Sequence, residues 1–163
     1  MSKLLNTIPQ TGKVEWIGIR SKRRADLTEV ASAEITIEDG LVDDHYSKKQ
    51  GKRQITLIQA EHLRAVAGLL QKTEPISPFL TRRNIVVSGL NLNALKDQRF
   101  KIGEHIILQG TGYCHPCSRM EENLGKGGYN AMRGHGGITT RVIQGGIIKK
   151  GDKVRFIETT TTV

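Results

Sequence analysis

Phe100-Lys101-Ile102-Gly103-Glu104-His105-Ile106-Ile107-Leu108 decides the fold class. Apolar and polar residues alternate up to Ile102, Gly103-Glu104 forms a tight turn, and an apolar run follows. A glycine beside an acid just before a β-rich run suits a tight turn feeding a strand. The same pattern recurs downstream: Lys150-Gly151-Asp152 precedes Lys153-Val154-Arg155-Phe156-Ile157, and Thr139-Thr140-Arg141-Val142-Ile143 runs into Gly145-Gly146. Upstream, Ile85-Val86-Val87 is a short buried strand ended by Ser88-Gly89. Gln54-Ile55-Thr56-Leu57-Ile58, Glu34-Ile35-Thr36-Ile37-Glu38 and Lys13-Val14-Glu15-Trp16-Ile17-Gly18-Ile19 read as further strands. A long helix is expected over residues 60–70, where Leu63, Val66, Ala67 and Leu70 share one face. Pro75 and Pro78 prevent its continuation. Many short strands with one or two helices predict a mainly β, barrel-like twisted sheet rather than a βαβ repeat.

The length of 163 residues fits one domain, expected over residues 13–158, with a loose arm over 1–12 and a frayed tail over 159–163. Three Phe, three Tyr and one Trp leave the core to Ile, Leu and Val. No apolar run approaches the roughly 20 residues that span a bilayer. The first residues lack the sustained apolar stretch of a signal peptide. Two cysteines do not make a disulfide scaffold, so a soluble protein in the reducing cytoplasm is expected.

Twenty-five Lys and Arg against 16 Asp and Glu leave a net charge of +9. That excess suits nucleic acid, phosphorylated metabolites or a pyrophosphate-bearing cofactor, and a solvated basic surface is the ordinary explanation. The basic residues come in short groups: Lys22-Arg23-Arg24, Lys48-Lys49, Lys52-Arg53 and Arg82-Arg83. No zinc finger, helix-turn-helix or aromatic RNA-binding signature accompanies them, so nucleic acid is not favoured as the main partner. A dinucleotide fingerprint and a phosphate loop are also missing.

Thr111-Gly112-Tyr113-Cys114-His115-Pro116-Cys117-Ser118-Arg119-Met120 differs from its surroundings. Both cysteines and a histidine fall within four positions. Two glycine-rich stretches follow, Gly125-Lys126-Gly127-Gly128 and Arg133-Gly134-His135-Gly136-Gly137, where backbone N–H groups can approach an anion. Four readings of the cysteines stay open. Half a zinc site would need His135 or His45 to complete it. A dithiol redox pair has the right spacing, but not the usual βαβ setting. Two small buried hydrophobes in a turn is the plain alternative. The fourth is a thiolate that ligates a soft metal or carries sulfur, favoured by the nearby cations Arg119, Arg133, His115 and His135.

The chain resembles the MOSC domain, the module at the C-terminus of molybdenum-cofactor sulfurases that also occurs as small stand-alone bacterial proteins. The resemblance rests on Asp39-Gly40-Leu41-Val42-Asp43-Asp44-His45, Arg53-Gln54-Ile55-Thr56-Leu57-Ile58, Arg82-Arg83-Asn84-Ile85-Val86-Val87-Ser88-Gly89, Phe100-Lys101-Ile102-Gly103, Pro116-Cys117, Gly134-His135-Gly136-Gly137 and Lys150-Gly151-Asp152. It implies a barrel of the pyruvate-kinase type and binding of the molybdenum cofactor, molybdopterin. It also brings molybdenum-ion binding, pyridoxal phosphate binding and catalytic activity as associated properties. By resemblance, Cys117 is the metal or sulfur ligand, and Cys117 with His135 is catalytic. Arg53, Arg82, Arg83, Asn84, Arg119, Arg133, Gly134 and Gly136 are the expected cofactor-binding residues.

The resemblance further implies a possible oxidoreductase of N-hydroxylated compounds, fed by an external electron donor because the chain carries no flavin, haem or iron–sulfur motif. The alternatives are a sulfur carrier with a Cys117 persulfide and a sulfur-transfer partner, or a non-catalytic basic module for nucleic acid. Two departures stand out. Larger stand-alone relatives read Gly-Glu-Asn where this chain has Arg82-Arg83-Asn84, and Cys114 is additional to the proline–cysteine pattern.

Overall fold

The computed structural model describes residues 2–45 and 51–158. The expected tail over 159–163 lies outside them, as do Lys48 and Lys49. The strands are β1 (Thr11–Ile19), β2 (Thr28–Glu29), β3 (Ser32–Thr36), β4 (Gly40–Leu41), β5 (Ile55–Gln59), β6 (Ile85–Ser88), β7 (Arg99–Ile102), β8 (Ile106–Tyr113), β9 (Ile138–Gln144), β10 (Gly146–Lys149) and β11 (Lys153–Ile157). Four α-helices accompany them: α1 (Ser2–Leu5), α2 (Ala60–Leu69), α3 (Ser118–Leu124) and α4 (Gly128–Met132). Of the expected arm, Ser2–Leu5 is a helical turn, and Thr11 and Gly12 already pair with β11.

The main sheet runs β11-β7-β8-β9-β5-β6-β1-β2, and β1 also pairs with β11, which closes it into a barrel. A small sheet, β10-β3-β4, stands beside it. The mainly β barrel is therefore observed, with two differences from the sequence reading. β5 and β6 are parallel, joined through α2, so one βαβ unit exists within the barrel. The segment after Cys117, read from the sequence only as glycine-rich over 125–128, forms the short helices α3 and α4.

Packing explains both. The barrel interior holds Val14, Ile17, Leu57, Ile85, Val87, Phe100, Ile102, Leu108 and Ile138, all buried. A second apolar cluster fills the space between the barrel wall and the helices, with Trp16, Ile58, Leu63, Val66, Ala67, Val86, Met120, Leu124 and Met132. A bulge in β1 between Val14 and Trp16 makes this division possible. The extra residue lets Val14 and Ile17 both face inward while Trp16 turns outward onto the edge of Phe79, 5.3 Å between ring centroids. Met120 and Leu124 bury α3 against the second cluster, a 3.6-residue spacing masked in sequence by the surrounding glycines.

Ile17 near the end of β1 and Leu57 within β5 both pair with Ile85 at the start of β6, and Leu57 also pairs with Ile138 at the start of β9, itself opposite Tyr113 at the end of β8. The loops that leave or enter these strands carry Arg20 to Arg24, Arg53, Arg82 to Asn84 and Cys114 to Cys117. Four segments remote in sequence therefore meet at the end of the barrel where β1 finishes and β6 begins.

Candidate functional site

Asn84 ties this end together. It is buried, its Nδ2 donates to the Gly18 carbonyl at 3.1 Å and to Asp44 Oδ1 at 3.3 Å, and its Oδ1 accepts from the backbone and hydroxyl of Thr56, both at 3.2 Å. Asp44 Oδ1 also accepts from the Arg20 backbone N–H at 2.8 Å. The Asn84 amide is thus fully engaged with protein partners, and its role is to fix β1, β5 and the loop after β4 relative to β6.

Arg83 does the same for the cysteine segment. Its guanidinium is buried and makes no ion pair among the described residues. Instead Nε donates to the Gly136 carbonyl at 2.7 Å, Nη1 to Thr81 at 3.0 Å, and Nη2 to Cys114 at 3.3 Å and His115 at 3.5 Å. Four carbonyls satisfy a planar fork of donors, a geometry lysine does not match. Burial lowers the Arg83 pKa, and the nearby sulfurs of Cys114 and Cys117 oppose that shift. Gly136 is required for this close approach, because a Cβ there would overlap the Cys114 carbonyl. The Cys114 N–H completes the anchor by donating to Gly137 at 2.8 Å.

The two cysteines differ. Cys114 is buried and Cys117 exposed, and both are free thiols. Cys117 caps the start of α3 in an extended conformation, with no side-chain capping bond. A helix does therefore follow the second cysteine, although the strand before it belongs to a barrel. No group of three or more His, Cys, Asp or Glu able to hold a metal gathers among the described residues. His45 lines the same cavity as the cysteines and His135 does not, and neither completes a metal-holding group with them among the described residues.

Both cysteines line a cavity of about 270 Å³. Arg20, Lys22, Arg23, Arg24, Arg53 and Arg82 line it with them, as do His45 and His115, and among the described residues no Asp or Glu is in its wall. Arg82 is held in the left-handed region, φ 62°, between Thr81 and the buried Arg83. Its pKa is lowered first by burial and then by the charges of Arg20 and Arg119, while Cys117 pulls the other way. Cations that crowd one another without carboxylates are a preformed anion site.

The expected site residues divide accordingly. Arg53, Arg82, Arg83, Asn84 and Cys117 meet in this cavity. Arg119 contributes charge beside Arg82 without lining the wall. Gly134 and Gly136 line a smaller hollow on the other side of the cysteine segment, with Asn93, Tyr113 and Pro116. Arg133 borders a shallow depression with Tyr129 and His115. His135 lines none of these. Its ring stands edge-on to His62, 5.0 Å between centroids, and its Nδ1 lies 3.3 Å from the Ala131 carbonyl. The glycines at 125–128 build a turn instead of an anion cradle. Gly127 N–H and Tyr129 N–H donate to the Glu121 carboxylate, and a Cβ at Gly128 would overlap Met120 and Leu124. Sequence reasoning missed the site role of residues 20–24. Their basic run was visible, but nothing local shows that the loop lines the same cavity as Cys117.

A family model described as the MOSC domain matches residues 36–155. The YuaD protein of Bacillus subtilis has a similar solved structure, with TM-score 0.79 at 18% identity over 94% of this chain and 100% of that one. The YiiM protein of Geobacillus stearothermophilus superposes with TM-score 0.72 at 18% identity, covering 90% of this chain and 75% of its own. For YiiM of Escherichia coli the values are 0.66 and 16%, over 93% and 72%. A comparison of the sequence with curated proteins finds no match.

Proposed function

Because the chain belongs to the MOSC domain family, we propose that it binds the molybdenum cofactor at the arginine-lined end of the barrel, with the Cys117 sulfur as ligand to the metal. The observation that carries this reading is an exposed free cysteine in the wall of a cavity lined by arginines, with no carboxylate among its described lining residues. A soft thiolate suits a soft metal centre, and arginines suit a phosphate. The donor set therefore fits a ligand with sulfur-bound metal at one end and phosphate at the other. It fits pyridoxal phosphate less well, since among the described residues the one lysine in the lining is Lys22, exposed on a loop.

Bound there, the cofactor would supply a metal centre able to take oxygen from an N-hydroxylated compound, with electrons from a separate protein. The chain's own residues hold and orient. Arg83 and Gly136 fix the backbone that presents Cys117, and Arg53 and Arg82 receive the phosphate. Arg119 adds positive charge beside Arg82, and Asn84 keeps the strands in register beneath them. His135 supports the loop over residues 133–137 from its contact with His62. Arg133 and Gly134 border the opposite side of the cysteine segment, where a substrate would approach.

A second reading has one observation in its favour: Cys114 lines the same cavity as Cys117. Two thiols in one cavity suit a sulfur carrier, in which Cys117 holds a persulfide for a transfer partner. Metal and pterin analysis of protein purified from a molybdopterin-producing host separates the two. Molybdenum retained by the wild type and lost in Cys117→Ala supports the cofactor. A persulfide mass on Cys117 without metal supports sulfur transfer, and neither signal refutes both.

A further inference from the structure

The cavity holds more positive charge than one cofactor phosphate uses. A phosphate monoester brings about two negative charges. Seven Lys and Arg side chains line the wall: Arg20, Lys22, Arg23, Arg24, Arg53, Arg82 and Arg83. Arg83 is already committed to backbone carbonyls, and Arg53 and Arg82 are assigned to the cofactor. The loop after β1 remains, with Arg20, Lys22, Arg23 and Arg24, and no ion pair among the described residues engages any of the four.

Two features point the loop at a ligand. Arg20 Nε is buried and has no hydrogen-bond partner, a donor that solvent does not satisfy. A buried guanidinium N–H without an acceptor is costly, so a ligand oxygen that meets it gains binding energy. Arg24 is held in the left-handed region, φ 64°, and still lines the cavity. The same backbone conformation recurs at Arg82, so two of the lining arginines lie at left-handed positions. Arg20 is a charged neighbour of both Arg82 and Arg83. By place in the chain, the lining cations divide into Arg53, Arg82 and Arg83, which precede β5 and β6, and the loop after β1, with Arg20 linking the two.

We infer that Arg20, Lys22, Arg23 and Arg24 form a second phosphate subsite, so that the cavity takes two phosphate groups. One chemistry, a phosphate on a small molecule, has two sources here. It belongs to a phosphorylated substrate such as a nucleoside 5′-monophosphate, or to the pyrophosphate of a nucleotide-extended cofactor. The inference rests on the cofactor reading only for the identity of the first phosphate.

The test is calorimetry with orthophosphate and pyrophosphate on chain made in a host that cannot synthesise the pterin, in wild type, Arg82→Gln and the pair Arg23→Gln/Arg24→Gln. Arg23 and Arg24 are exposed, and thermal melts verify that each variant folds. Wild type is expected to saturate at about two orthophosphates per chain, and each variant at about one, since the two anion sites bind separately. Pyrophosphate should bind wild type on the order of tenfold more tightly than orthophosphate, an advantage lost in the paired variant. A single equivalent unchanged in the paired variant overturns the second subsite. So does shallow, non-saturating uptake that is alike in all three proteins. On cofactor-loaded chain, one remaining equivalent that accepts a nucleoside 5′-monophosphate but not the nucleoside assigns the phosphate to the substrate. No remaining equivalent, with nucleotide released on extraction of the cofactor, assigns it to the cofactor. Molybdenum content is read separately, so absence of metal in the wild type sinks the cofactor reading without altering the phosphate count.

Discussion

Replacing Arg83 by Met removes the guanidinium that holds the cysteine segment and leaves a side chain of similar length in its place. The Gly136, Thr81 and Cys114 carbonyls lose donors at 2.7, 3.0 and 3.3 Å, and His115 loses a longer contact. Hydrogen bonds from a charged donor contribute roughly 1.5–3 kcal/mol each. The buried cation carries a desolvation cost of several kcal/mol, which the substitution relieves and which offsets much of that sum. A net loss of about 3 kcal/mol is expected, at the lower edge of the range for removing one partner of a buried charged arrangement. In a chain of this size that corresponds to a fall in Tm of roughly 6–12 °C. Urea unfolding measures it, and an unchanged m-value shows that stability rather than compactness has moved. Cys114, only 3% exposed, should then react with a thiol reagent under native conditions much faster than in wild type. Arg83→Lys keeps the charge but not the fork, and should recover only part of the loss. A loss below about 1 kcal/mol, with Cys114 still protected, would show that Arg83 does not hold the segment.

Gly136→Ala places a Cβ on the Cys114 carbonyl and should cost more than about 2 kcal/mol, because backbone rather than a flexible side chain must yield; the same urea titration checks it. His62 has a pKa lowered by burial first and by His135 second, so the folded state favours its neutral form. Its contribution is present above the ordinary histidine range and is lost as pH falls from about 6.5 through the lowered value. His62→Phe should therefore lose less stability than wild type between pH 7 and 5.5, and equal slopes for the two proteins would contradict the assignment. Glu121 has a pKa lowered by the N–H groups of Tyr129 and Gly127. Glu121→Ala should speed amide exchange at Gly127 and Tyr129 while leaving the barrel strands unchanged, as read by hydrogen exchange.

The barrel was legible in the sequence because strand alternation is local. Ile106 to Leu108 and Val154 to Ile157 carry their strand character in their own pattern, and the Gly103 and Gly151 turns mark where each begins, whereas the strand over Arg99–Ile102 before the first turn was not read as one. The β5–α2–β6 unit was not legible as such, since parallel pairing depends on register between segments some 30 residues apart rather than on any local period. Helices α3 and α4 were hidden for a related reason. Gly125, Gly127 and Gly128 suggest loop by propensity, but Gly128 is needed where the two helices touch, and burial of Met120 and Leu124 decides the outcome. At the site, Cys117, Arg53 and Arg82 followed from the motif. The loop over residues 20–24 did not, because a basic run on an open surface and a basic run lining a cavity have the same sequence. His135 drew attention as a histidine between glycines, and the structure sets it against His62 instead.

The measurement that bears most directly on the central claim is the molybdenum and pterin content of freshly purified chain, in wild type and Cys117→Ala, from a host that makes the cofactor. Near-stoichiometric molybdenum with pterin in the wild type, and loss of the metal in Cys117→Ala with the fold intact by circular dichroism, is the expected result. Wild-type chain that carries neither metal nor pterin, or a Cys117→Ala variant that retains both at the wild-type level, would contradict it.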